Sequence, residues 1–448
     1  MLDYFNYLSN DRLSYFKTKI MKIEKGIFLG KKILIYGLGK SGISAFKFLK
    51  KKADVYLFDD DQKLNQKLVS INQVLKIEFD RIIISPGIDI SNCKLSKFLN
   101  KNLDKIYTDL DVFYSFYKNT SIAITGTNGK STTAKILFDI LIDQKRDVRL
   151  VGNIGNPALS EKNITKNTFF VIEVSSYQLE YSKIFSTKYA VILNISVDHI
   201  ERHKNLINYV NAKFKLLESQ TNKSFAFVKK NDQLIYKKIK KSKFKQKIYK
   251  VDTVNINKIS NQINNKYFIS DGNKENLSFV LKIATKLKLN KTKLFKTLNN
   301  FKGLKYRQQI IFDNKNLTII NDSKSTSFAS SESILKNFNT IYWILGGIPK
   351  KGDKFRLTKK ECRNYKVFLF GKYHKQFSMI ISNKIKIKKS KNLKETLKEV
   401  FLEIKKQKVK KNTIFFSPAG ASFDSFKNFE HRGNYFNQLI KKFVNANS

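Results

Sequence analysis

The stretch Ser121-Ile122-Ala123-Ile124-Thr125-Gly126-Thr127-Asn128-Gly129-Lys130-Ser131-Thr132-Thr133 constrains this chain more than any other. A run of strand character enters a glycine-containing turn, and Lys130, Ser131, Thr132 and Thr133 lead into the apolar-periodic segment 134–142. Strand, turn and helix start in that order predict a parallel α/β sheet. The turn also carries chemistry. Backbone N–H groups and the helix dipole attract phosphate oxygens, Lys130 adds a fixed positive charge, and the Ser131 hydroxyl suits Mg²⁺. The loop is shorter than the full phosphate-loop pattern, because Ile124 stands where the first glycine would be and Gly126 lies three before Gly129.

At 448 residues the chain has room for two to four domains with real cores. Cys93 and Cys362 are its only cysteines, which excludes a disulfide framework and a cysteine-based metal site. The N-terminus lacks the basic and apolar regions of a signal peptide, and no stretch approaches the ~20 apolar residues of a membrane span. A cytoplasmic protein without a membrane partner is expected. The formal net charge is +50, yet lysine is spread from end to end and arginine is scarce. A nucleic-acid protein would concentrate such charge on one face. The abundance of Ile, Asn, Phe, Tyr and Lys, all read from A/T-rich codons, favours genomic base bias. The field still attracts anions such as nucleotides.

Residues 1–28 read as a helix-prone leader with no legible chemistry. Lys32–Tyr36 is a buried-strand run, followed by Gly37-Leu38-Gly39-Lys40-Ser41-Gly42, a helix, and the strand Asp54–Phe58 ending at Asp59. This G-x-G-x-x-G turn with an acid about twenty residues on is the dinucleotide fingerprint. It fits NAD, another nucleotide diphosphate, or a bare glycine turn. Arg81–Ile84 is a further strand ending in Ser85-Pro86-Gly87, and the first domain is expected to close near Asn119. In the second, the strand 168–172 delivers Glu173, and the strand 189–194 ends in Asp198 and His199. Successive strand ends thus carry Lys130 and Ser131, then Glu173, then Asp198 and His199, a set suited to a metal and phosphates. Arg202 lies beside His199 and His203. A helix over 206–217 carries Lys213, residues 222–270 hold no legible site, and 273–276 open another helix. The segment 301–307 reads as a hinge into a third domain, where four strands (317–320, 342–345, 367–370 and 413–416) end in polar, glycine-rich turns. A second parallel α/β domain is expected there.

Together these residues resemble the Mur ligase superfamily. The resemblance rests on Gly126–Thr132, Asn153 in its Gly-Asn-Ile-Gly, Glu173-Val174-Ser175-Ser176-Tyr177-Gln178, Asn194–His199, and Asn321-Asp322-Ser323-Lys324. The terminal run Ser417-Pro418-Ala419-Gly420-Ala421-Ser422 through Phe429-Glu430-His431-Arg432-Gly433 is similar to the branch that couples D-glutamate to UDP-N-acetylmuramoyl-L-alanine. The resemblance implies three domains: a Rossmann-like UDP-substrate domain (29–119), a central P-loop ATPase-type parallel sheet (120–301), and a Rossmann-like amino-acid domain (302–448). It also implies ATP, two Mg²⁺ ions, an acyl-phosphate intermediate and a monomer. By position, Gly126, Thr127, Asn128, Gly129, Lys130, Ser131, Thr132, Asn276, Arg307 and Asp322 would contact ATP. Lys130, Glu173, His199 and Lys213 would be catalytic. Ser131, Glu173, His199 and a carbamylated Lys213 would hold the metal. Ser41, Asp59, Gly87, Asn153 and Ser175 would bind the UDP substrate. Lys324, Thr326, Lys350, Ser422 and Phe429 would bind D-glutamate. Two departures stand out: Tyr306 and Gly272 occupy positions where the family has histidine.

Other readings remain: another amino-acid-adding ligase of the same superfamily, an NAD-dependent oxidoreductase using the Gly37–Gly42 turn, or a basic nucleic-acid-dependent NTPase.

Overall fold

The computed structural model describes residues 26–61, 67–253, 262–336, 338, 340–406 and 411–445. Most of the leader therefore lies outside the described residues. Short runs of Ile, Val, Leu and Phe, buried on both faces, build parallel strands in the way such runs do. The first sheet has the order β2-β1-β3-β4, from β1 (Lys32–Tyr36), β2 (Asp54–Phe58), β3 (Arg81–Ile84) and β4 (Ile106–Tyr107), all parallel. The second has the order β10-β9-β8-β5-β7-β6, also parallel throughout. It is built from β5 (Ser121–Thr125), β6 (Val148–Gly152), β7 (Phe169–Glu173), β8 (Tyr189–Ile192), β9 (Phe225–Lys229) and β10 (Lys247–Val251). After β7 the chain crosses to the other side of β5. That reversal opens a crevice at the carboxyl end of β5, where ligands bind in open α/β sheets. The phosphate-type loop sits there.

By packing, the chain divides into two compact units: Met1–Asn255 with Ser278–Leu294, and Ile256–Leu277 with Phe295–Ser448. The first two sheets share one unit. A single apolar cluster runs from Ile33, Ile35 and Leu57 through Val112 and Phe113 to Phe170, Ile172 and Phe214. Asp111 ties the same region together: its Oδ1 accepts from the Ser182 hydroxyl (2.9 Å) and from the N–H groups of Lys183 (3.0 Å), Ile184 (2.8 Å) and Phe185 (2.9 Å).

The other unit holds the third sheet, β11-β12-β17-β13-β15-β16. Its strands are β11 (Gln309–Asp313), β12 (Leu317–Asn321), β13 (Ile341–Gly346), β15 (Tyr365–Phe370), β16 (Lys386–Ser390) and β17 (Asn412–Phe416). The small strands β14 (Ile348–Pro349) and β18 (Gly420–Ala421) pair antiparallel beside it. The four expected strands pair in parallel, and the sheet carries a further edge strand, β11, that runs antiparallel to β12. Only Asn314, Lys315 and Asn316 connect them, with the Asn314 side chain accepting from the N–H groups of Asn316 (2.9 Å) and Leu317 (2.7 Å). A turn that short joins only antiparallel neighbours. Apolar clusters cover both faces of this sheet, one around Trp343, Val367 and Phe377, the other around Ile414, Leu397 and Phe436.

Candidate active site

The loop after β5 is shaped by its glycines. Gly129 has φ +82° and Gly126 φ +151°, and a Cβ on Gly126 would lie 3.0 Å from that of Leu193. The loop is held from the β8 side, where the Asn194 carboxamide accepts from the Asn128 N–H at 2.9 Å. The Thr127 hydroxyl lies 3.0 Å from that of Tyr209. The helix Lys130–Asp143 starts at once, with Ser131, Thr132 and Thr133 buried in its first turn. The Lys130 ammonium folds back onto the carbonyls of Gly126 (2.9 Å) and Thr127 (2.8 Å).

Lys213 reaches the same loop from the helix Leu206–Glu218. Its Nζ donates to the Gly126 carbonyl at 2.8 Å and lies 4.5 Å from the centre of the Tyr209 ring. The side chain is 1% exposed. Burial, and after it the positive charge of Lys130, push this amine well below the ordinary lysine range, against the pull of Asp198 and Glu173. Burial thus favours the uncharged, nucleophilic form of this amine.

Glu173 ends β7 and is 1% exposed. Its Oε1 accepts from the Asn153 amide at 2.9 Å, while Oε2 is buried with no hydrogen-bond partner. Gly152 makes this approach possible, since at φ +102° its Cβ would sit 2.2 Å from the Glu173 carbonyl oxygen. An orphaned buried carboxylate oxygen is costly without a cation or donor to meet it. The donor set therefore fits Mg²⁺, which takes one or two carboxylates and completes its shell with phosphates and water. Among the described residues no three His, Cys, Asp or Glu side chains converge on one point. As an amine Lys213 offers Mg²⁺ no oxygen, so a role as a ligand to this hard cation calls for its conversion to an anionic oxygen group.

His199 follows β8 and begins the short helix Ile200–His203. It sits at φ +52°, its Nδ1 is 2.9 Å from the Tyr177 hydroxyl, and its ring is 6.3 Å from that of Tyr209. Ser175 caps the short helix Ser176–Glu180, its hydroxyl accepting from the Gln178 N–H at 3.2 Å.

In the first sheet, the G-x-G-x-x-G turn is closed by its own residues. A Cβ on Gly42 would lie 1.9 Å from the Gly37 carbonyl oxygen, and Asp59 accepts from the Leu38 N–H at 2.6 Å. Ser41 is a hydrogen-bond partner of Asp109, whose burial pushes its carboxyl up to about 6. Gly87 has open space around it.

The second unit gathers another set. Asp322 follows β12; its carboxylate accepts from the Ser417 hydroxyl (2.9 Å) and the Gln308 N–H (3.1 Å). Burial pushes it up to about 7, against those two hydrogen bonds and the charges of Arg307 and Arg432. Arg432 is fully buried, donates to Ser323 and Gly420, and keeps Nη1 without a partner. The Lys324 ammonium stands 3.7 Å from the Phe429 ring centre. Ser422 and Asn276 are buried, whereas Thr326 and Lys350 are exposed. A cavity of about 560 Å³ between Asn265, Tyr267, Phe301 and Ile310 contains none of the expected site residues. The chemistry is placed at the strand ends, where buried polar groups converge.

Tyr209 was not among the expected site residues, and Tyr177 entered only within the run 173–178, with no role of its own. Tyr209 precedes Lys213 by four positions on one helix, which puts both on one face, and that spacing was the available signal.

The Mur ligase middle domain family matches residues 124–299. The chain is 30% identical to the UDP-N-acetylmuramoylalanine--D-glutamate ligase of Rickettsia felis over 92% of its own length and 97% of the relative's. Against the enzyme of the same name from Buchnera aphidicola subsp. Schizaphis graminum it is 34% identical, covering 93% of this chain and 99% of the relative. Among solved structures, MurF ligase from Thermotoga maritima in complex with ADP is similar in fold at a TM-score of 0.56 and 12% identity, covering 93% of this chain and 97% of that one.

Proposed function

The chain belongs to the Mur ligase family, whose members are ATP-dependent amide-bond-forming ligases, and on that premise we propose that it joins D-glutamate to UDP-N-acetylmuramoyl-L-alanine in peptidoglycan synthesis. The observation that carries the chemistry is the convergence of Lys213 and Lys130 on the Gly126 carbonyl, with the same electrostatic neighbourhood reaching the Glu173 carboxylate.

In this reading ATP phosphorylates the carboxylate of the alanyl group, releasing ADP. The D-glutamate amine then attacks the acyl phosphate, phosphate leaves from the tetrahedral intermediate, and one proton is released. Activation is needed because a carboxylate is a poor acyl donor. The barrier lies in bringing two anions together, so the site has to supply positive charge and fixed N–H donors. The loop Gly126–Thr132 cradles the phosphates, and Lys130 turns from its own carbonyls to the γ-phosphoryl group. Ser131 and Glu173 would hold one Mg²⁺, and Glu173, His199 and carbamylated Lys213 would hold a second. Bound there, such ions would supply positive charge against the transferring phosphoryl group. Carbamylation suits Lys213 because burial favours the uncharged amine, which reacts with CO₂ and releases a proton to give an anionic oxygen ligand. Asn276, Arg307 and Asp322 contact ATP, and Lys324, Thr326, Lys350, Ser422 and Phe429 bind D-glutamate. Ser41, Asp59, Gly87, Asn153 and Ser175 bind the UDP substrate. The modules follow the divisions 29–119, 120–301 and 302–448. The enzyme acts as a cytoplasmic monomer without nucleic-acid partners; among the described residues no helix is long and apolar enough to cross a membrane.

The test is phosphate release from ATP with the UDP substrate and a panel of amino acids. Release that depends on D-glutamate is expected. Turnover with L-alanine or a diamino acid, but not with D-glutamate, refutes the assignment.

A further inference from the structure

His199 and Lys204 both adopt left-handed backbone, at φ +52° and +68°, on either side of the single helical turn Ile200–His203. Non-glycine residues in that region store strain, and something in the surroundings must over-determine the conformation. His203 supplies part of this, with Nε2 at 3.0 Å from the Ser176 hydroxyl. The larger part comes from Arg202, whose side chain is 8% exposed.

Three contacts converge on that guanidinium. Its Nη2 donates to the Ile88 carbonyl at 2.5 Å, in the loop that follows β3. Its Nε donates to Glu180 Oε2 at 3.0 Å, at the end of the helix Ser176–Glu180. Its Cζ lies 5.1 Å from the centre of the Tyr177 ring, and it is the Tyr177 hydroxyl that meets His199 Nδ1 at 2.9 Å. One buried fork thus touches the loop carrying Gly87, the helix capped by Ser175, and the tyrosine that orients the His199 imidazole. Lysine cannot reproduce this, because an ammonium neither offers a fork of fixed donors nor stacks flat on an aromatic ring.

We infer that Arg202 is a positioning residue that couples the loop after β3 to the orientation of His199. The inference rests on the proposed function for what occupies that loop. A UDP group seated beside Gly87 restricts the loop that presents the Ile88 carbonyl, Arg202 carries that constraint to Tyr177 and Glu180, and Tyr177 holds the His199 ring through Nδ1, with Nε2 3.4 Å from Asp198 Oδ2. The groups around Arg202 are otherwise a carboxylate, a carbonyl and a phenol, none of which touches substrate in the proposed reaction.

The experiment compares wild type with Arg202→Lys, Glu180→Gln, Tyr177→Phe and the double variant Arg202→Lys/Tyr177→Phe. It measures kcat, KM for each of the three substrates, melting temperature, and the side-chain nitrogen NMR signals of His199. Arg202→Lys is expected to lower kcat/KM for the UDP substrate roughly 10- to 100-fold, in line with partners that orient a metal-ligating imidazole. The KM for ATP and D-glutamate should stay within about two-fold, since the fork touches neither site. The double variant should lose less than the product of the single losses, because both changes act through one imidazole. The His199 nitrogen signals should move in Arg202→Lys. The inference is overturned if those signals are unchanged, or if all three KM values shift in parallel with a fall in melting temperature. A failure of the functional reading looks different: the wild type itself would release no phosphate with the UDP substrate, while the NMR comparison would still decide the role of Arg202.

Discussion

Replacing Asp322 with asparagine is expected to stabilise the protein at pH 8 while damaging its chemistry. The carboxyl is 6% exposed, and burial raises it from the ordinary 3.8 to about 7 despite the hydrogen bonds from Ser417 and Gln308 and the charges of Arg307 and Arg432. Between those values the folded protein keeps a proton that the unfolded chain has released. The contribution of this group to stability is complete below the unfolded value and is lost as pH rises through about 7. The gap between 3.8 and about 7, at about 1.4 kcal/mol per pH unit, amounts to a penalty on the order of 4 kcal/mol at pH 8. Asparagine escapes it without orphaning a partner. Its oxygen still accepts from the Gln308 N–H, and its amide donates to the Ser417 hydroxyl, which in turn donates to Ser331 Oγ at 2.6 Å. The chain carries its own probe for this. Trp343 is the only tryptophan, is fully buried, and donates to the Ser417 carbonyl at 2.8 Å. Urea unfolding followed by its fluorescence from pH 4 to 8 should show Asp322→Asn pulling ahead of wild type as pH rises, with a plateau above about 7. A gap that is flat or narrows with rising pH, or a variant less stable than wild type at pH 8, refutes the reasoning.

Gly152→Ala places a Cβ 2.2 Å from the Glu173 carbonyl at φ +102°, so the end of β7 must move. A loss of about 2 kcal/mol or more in stability and at least a tenfold fall in phosphate release are expected from melts and steady-state rates. Asp111→Ala strips four donors of one acceptor; a loss of about 2–5 kcal/mol and faster amide exchange at Lys183, Ile184 and Phe185 are expected, and protected amides there would contradict it. Lys213→Ala should abolish phosphate release, and a short carboxylic acid should restore part of it by returning an anionic oxygen to the cavity. No rescue, together with no ¹³C-carbamate NMR signal in wild type supplied with labelled bicarbonate, would remove the carbamate from the mechanism.

Much of the architecture was legible in local pattern. Uninterrupted apolar runs such as Lys32–Tyr36, Phe169–Glu173 and Thr413–Phe416 announce two-sided burial, and burial of that kind implies parallel strands with helices between. The Asn314–Asn316 turn was equally local, yet β11 was missed, because Gln309–Asp313 is only half-buried and lacks the fully apolar signature of its neighbours. The expectations for strand-end residues, Glu173 and Asp322 among them, rest on the same kind of signal: a polar residue that ends an apolar strand stands out.

The opening loop shows where sequence stops. Its residue types by themselves determined a glycine-shaped turn at the start of a helix, because glycine φ values, N–H donors and the helix dipole are properties of adjacent residues. Sequence also determined that Lys213 lies on a helix. Only the tertiary structure decided that this lysine, among dozens in a chain of charge +50, sits against the Gly126 carbonyl, where burial lowers its pKa. The same holds for Arg202 reaching Ile88, 114 positions away. A pKa and a long-range hydrogen bond depend on what surrounds a group in space, and burial, neighbouring charge and reach are set by strands and helices far apart in the chain.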